Sequence, residues 1–61
     1  METIKQVLMR RDGLTAEEAE ACIEEAREQL QEYLENGEMD FAEDICQEMF
    51  GLEPDYIMEL L

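Results

Sequence analysis

The residues of this chain that could do chemistry are eighteen carboxylates and two thiols, Cys22 and Cys46. Histidine, serine and tryptophan are absent from its 61 residues. A nucleophilic thiol needs a nearby base or cation to hold it as thiolate, and none is evident. Both cysteines fall on apolar helix faces, where cysteine acts as a small buried hydrophobe. General acid–base work needs two carboxylates in unlike environments, usually in a cleft, and so short a chain has little room for one. The cysteines form no C-x-x-C pair, and no histidine completes a zinc site. An EF-hand loop counted back from Gly37 puts Leu34 at a ligand position, and one from Gly13 puts Leu8 at the first. The expectation is a protein that is not an enzyme and has no cofactor or metal.

The carboxylates are dispersed unevenly. Eighteen acids against four bases give a net charge of −14. Residues 1–11 hold Lys5, Arg10, Arg11 and Glu2, a net of +2, while residues 12–61 hold seventeen acids and only Arg27, a net of −16. Direct binding to nucleic acid or to an anionic membrane needs cationic side chains, so both are poor partners. No apolar run nears the roughly 18 residues of a membrane span. The start, Met1-Glu2-Thr3-Ile4-Lys5-Gln6, lacks the apolar centre of a secretion signal. A cytoplasmic location with reduced cysteines is the expectation.

Hydrophobic residues make up 46% of the chain and recur in helical register, which favours folding over disorder. The first helix should run from Thr3 to Arg11, with Ile4, Val7 and Leu8 on one face and Arg10 and Arg11 favourably at its C-terminus. Asp12-Gly13-Leu14 reads as its C-cap. Thr15 with Glu18 is a capping box opening a second helix to Asn36, ended by Gly37. Ala19, Cys22, Ile23, Ala26, Leu30, Tyr33 and Leu34 form its inner stripe. A third helix is expected from Asp40 to Phe50, capped by Asp40 and Glu43, with Ala42, Ile45, Cys46 and Met49 inward. Gly51-Leu52 repeats the first C-cap. Pro54 then suits the first position of a short last helix to Leu60, with Ile57, Leu60 and Leu61 on its apolar side. No segment alternates with period two. The fold expected is all-α, one domain over residues 1–61: a small three-helix bundle with a short fourth C-terminal helix. A chain of this size buries only about 60% of the surface its unfolded form exposes.

The second helix sets its acids opposite this stripe. Glu17, Glu24, Glu28 and Glu35 form the outer ridge, flanked by Glu18, Glu25 and Glu32. Like charges four apart destabilise a helix by a few tenths of a kcal/mol each, and such self-repulsion suggests that the field is used. Residues 16–36 carry eight Glu and one Arg, about one net charge per 4–5 Å of helix. One strand of duplex DNA carries one per about 3.4 Å. A nucleic-acid mimic follows: Glu17, Glu20, Glu24, Glu25, Glu28, Glu32 and Glu35, with Glu43, Asp44 and Glu48 as a second row, pairing with the Arg and Lys of a basic nucleic-acid-binding protein. The alternative is a small adaptor or regulatory protein, possible also as a homodimer, docking through the edge residues Met9, Phe41, Tyr56, Met58 and Leu61.

Arg11-Asp12-Gly13-Leu14 before the acidic helix, and Gly51-Leu52-Glu53-Pro54-Asp55-Tyr56 near the C-terminus, resemble segments of small acidic proteins encoded by phages and prophages. The resemblance spans most of the chain in layout, and the second segment is its most specific part. No functional residue is carried over from it. It implies a phage context in a bacterial cytoplasm, where small acidic proteins often inhibit restriction or CRISPR nucleases, some by resembling DNA. The expected target is a host defence nuclease or another DNA- or RNA-binding protein.

Overall fold

Thr15 starts the element on which the rest is built. In the computed structural model, which describes residues 2–61, its hydroxyl accepts from the Glu18 N–H, and the Glu18 carboxylate accepts from the Thr15 N–H at 2.9 Å. These two bonds satisfy donors that a helix start leaves without partners. They also hold the Glu18 carboxyl below the usual carboxylate range. The helix, α2, runs Ala16–Glu35, about 30 Å at 1.5 Å per residue, and nearly spans the 33 Å long axis of the molecule. Gly37 and Glu38 close it by donating to the carbonyls of Leu34 and Tyr33, the paired arrangement of a Schellman turn.

Before it, α1 covers Ile4–Arg11. Thr3 and Gln6 form a second capping box there, a signature equally present in the sequence but not anticipated above. Gly13 and Gly51 both adopt positive φ, +69° and +66°, a region open to glycine at little steric cost. Each lets the following leucine turn back: Leu14 N–H donates to the Leu8 carbonyl, and Leu52 N–H to the Cys46 carbonyl. Both leucines then pack on the core.

The expected third helix is instead two. α3 is Met39–Glu43 and α4 is Ile45–Phe50, separated at Asp44. Asp40 does not cap α3; Glu38 holds the N-cap position without a side-chain hydrogen bond. Asp40, Asp44 and Glu48 stand four apart, where like charges repel. The break shifts the phase of α4. Phe50 is buried, 5% exposed, whereas Met49, expected inward, is 42% exposed.

The last element, Pro54–Glu59, is a 3-10 helix rather than an α-helix. Three residues per turn align Ile57 with Leu60, and both pack on the core. Leu61, which an α-helix would have turned inward, stays 79% exposed. Glu59 anchors this end twice: its carboxylate accepts from the Ile4 N–H at 3.1 Å, and its carbonyl accepts from Arg27 Nη2 at 3.1 Å.

One core gathers Ile4, Leu8, Ala19, Ala26, Leu30, Ala42, Ile45, Cys46, Phe50 and Leu60, drawn from every helix and the C-terminal turn. The chain is an all-α bundle with a short C-terminal helix, and no strand occurs among the described residues. Leu34, assigned inward, is an exposed edge residue. α3 folds back over the Tyr33 side of α2, where Phe41 stacks on Tyr33, and Leu34 gains no such cover.

Candidate functional site

Chemistry by the thiols finds no support in their surroundings. Cys46 is fully buried, and that burial, with Glu59 adding to it, pushes its thiol pKa up. Cys22 is half-buried rather than buried, and both are free. Among the described residues no cluster of three or more Cys, Asp or Glu is arranged to hold a metal. A shallow depression of about 390 Å³ lies between Glu20, Ile23, Glu24 and Arg27. Its charges are already committed: Glu20 to Lys5 at 2.8 Å, and Glu24 to Arg27 at 3.9 Å.

The other two cations are committed as well. Arg10 forks onto Glu2 with two 2.7 Å bonds, and Arg11 onto Asp12 with two of 3.1 Å. The guanidinium bonds hold the Glu2 and Asp12 carboxyls below the usual carboxylate range. All four bases are therefore paired with acids of the same chain. Arg10 and Arg11 are quenched beside α1, and Lys5 reaches only Glu20 on the near flank of α2.

All ten carboxylates expected to bind a partner are exposed: Glu17, Glu20, Glu24, Glu25, Glu28, Glu32, Glu35, Glu43, Asp44 and Glu48. They are not equally available. Glu20 is held by Lys5, and Glu24 touches Arg27 at the rim of α2. Among the described residues, Glu17, Glu28 and Glu35 have no cation in salt-bridge contact, nor do Glu25 and Glu32 on the flank. α3 and α4 pack against α2 and bring Glu48, like Glu32, within reach of Tyr33. Both carboxylates, with Glu38, act on the Tyr33 hydroxyl. Partial burial and then the fields of Glu48, Glu38 and Glu32 raise its pKa. Glu38 is the member that sequence reading missed; its approach depends on the turn at Gly37.

Of the apolar edge residues, Met9, Phe41, Met58 and Leu61 are exposed. Tyr56 is half-buried and packs on the core. Compared with known proteins, the chain matches no family model, no curated protein and no solved structure.

The uncompensated ridge has a measurable consequence. Raising NaCl from about 20 mM to 0.5 M shortens the reach of charge repulsion from tens of ångströms to a few. It also weakens the four exposed ion pairs, but fourteen acids are left over for every four paired. The melting temperature should rise by roughly 5–10 °C, given about 4–8 °C per kcal/mol in a domain this small. A flat or falling melting temperature in a circular dichroism melt would mean that the ion pairs dominate.

Proposed function

We propose that the protein is an acidic ligand for a cationic, nucleic-acid-binding surface on another protein, which it blocks by presenting carboxylates in place of phosphates. One observation carries this reading. All four bases are consumed in internal pairs, and among the described residues Glu17, Glu28 and Glu35 of the outer α2 ridge are left exposed without a cation, Glu24 alone meeting Arg27 at 3.9 Å. The net −7 over the roughly 30 Å of α2 comes near the charge spacing of one phosphate strand. Such a field steers encounter with a basic groove and speeds association. The resemblance of Arg11–Leu14 and Gly51–Tyr56 to small acidic phage and prophage proteins supports a bacterial cytoplasmic target, with a defence nuclease the first to test. Among the described residues no helix is long and apolar enough to cross a membrane.

The test is capture from a bacterial lysate on the immobilised chain, with low-salt and then high-salt washes. A DNA- or RNA-binding protein should be retained at low salt, released as salt rises, and displaced by duplex DNA. A partner that resists salt and ignores DNA would sink the mimic reading. It would transfer the function to docking through Met9, Phe41, Met58 and Leu61.

A further inference from the structure

We infer that the stacked pair Tyr33–Phe41 is a docking point for an arginine side chain of the basic partner, an inference that rests on the acidic-ligand reading above. The two ring centroids lie 5.6 Å apart with 27° between the planes. Only one side of Phe41 is covered by this stack, and the residue is 56% exposed. The turn at Gly37 and the buried Ala42 and Ile45 fix α3 against α2, so the pair is preformed. Glu32, Glu38 and Glu48 lie close enough to act on the Tyr33 hydroxyl. No base of the chain serves them, because each is paired elsewhere.

The chemistry of this spot selects its occupant. An aromatic face carries negative charge density, and a cation above it is attracted. The carboxylates that act on the Tyr33 hydroxyl add to that attraction and offer acceptors to a donor-rich cation. Guanidinium is planar, weakly hydrated and stacks on rings, whereas an ammonium is a strongly hydrated point charge. Arginine therefore fits better than lysine. A second copy of this chain is a poor occupant: its four bases are paired and each copy carries −14.

The experiment titrates the full chain with hexa-arginine and hexa-lysine amides, following the Phe41 and Tyr33 ring resonances by NMR at about 20 mM and 150 mM salt. Hexa-arginine should bind about two- to fivefold tighter than hexa-lysine and shift both rings. Phe41→Leu, which keeps apolar bulk, and Phe41→Ala should each erase that preference by weakening hexa-arginine more than hexa-lysine. Salt-sensitive binding of both peptides with a preference untouched by either variant overturns the arginine site and leaves the acidic-ligand reading standing. No salt-sensitive binding of either peptide overturns both.

Discussion

Replacing Ile45 with alanine should leave the chain largely unfolded at 25 °C, while replacing Met49 with alanine should change stability by less than about 1 kcal/mol. Ile45 has no exposed surface and is, with Ile4 and Cys46, one of the largest fully buried side chains. It opens α4 immediately after the break at Asp44, and with Ala42 it seats that corner in the common core. Large-to-small changes at such sites cost about 2–5 kcal/mol, because the cavity left behind closes only in part. A domain of 61 residues has roughly 3–9 kcal/mol in total. The loss is thus comparable with the whole stability. In a circular dichroism melt the midpoint should fall by at least about 15 °C, or the transition should vanish. Met49, one turn further on, tests the phase of α4. Comparable losses at the two positions would mean that residues 39–50 form one continuous helix, as their hydrophobic spacing alone suggests.

Much of this architecture is legible in local chemistry. Thr15 with Glu18, Gly13 with Leu14 and Gly51 with Leu52 are short-range signals, and each closes the hydrogen bonds its residue types imply. The failures lie where tertiary contact or an alternative helix geometry decides. Residues 39–50 have apolar spacing fit for one helix, but the acid repeat Asp40, Asp44, Glu48 acts against it, and the core accepts two short segments. Pro54–Glu59 reads from the sequence as a short helix, which it is; its tighter winding, shown by the bonds from Tyr56 to Glu53 and from Leu60 to Ile57, leaves Leu61 outside. The site divides in the same way. Exposed acids on α2 follow from their angular positions: Glu17, Glu24, Glu28, Glu32 and Glu35 oppose Ala19, Ala26 and Leu30, and the others lie on the flanks. The internal use of Glu20 and the meeting of Tyr33, Phe41, Glu38 and Glu48 depend on how α1, α3 and α4 are set against α2. No spacing within a single helix encodes that.

Converting Glu17, Glu24, Glu28 and Glu35 together to glutamine should weaken target binding at least 100-fold and, in the same protein, raise the melting temperature. The two effects have opposite sign because they come from one source. Among the described residues three of the four carboxylates have no cation in salt-bridge contact, and Glu24 has Arg27 only at 3.9 Å. In the free chain they repel one another along the ridge. Glutamine has helix propensity close to that of glutamate and nearly its shape, so the variant keeps α2 while the repulsion is relieved. In the complex each lost carboxylate would leave a cation of the target without its counter-ion. Truncating one partner of a desolvated charge pair costs about 2–5 kcal/mol, whereas solvent-exposed pairs give much less. Even one desolvated pair among the four therefore suffices for a change of about 100-fold. The remaining binding should respond less to salt, because fewer ion pairs form. The two readouts separate a damaged fold from a damaged interface: unfolding would lower both melting temperature and affinity. A variant that melts higher yet binds its partner as tightly as before, with the same salt dependence, would show that the ridge serves only solubility. The contact would then have to be sought on the exposed apolar residues.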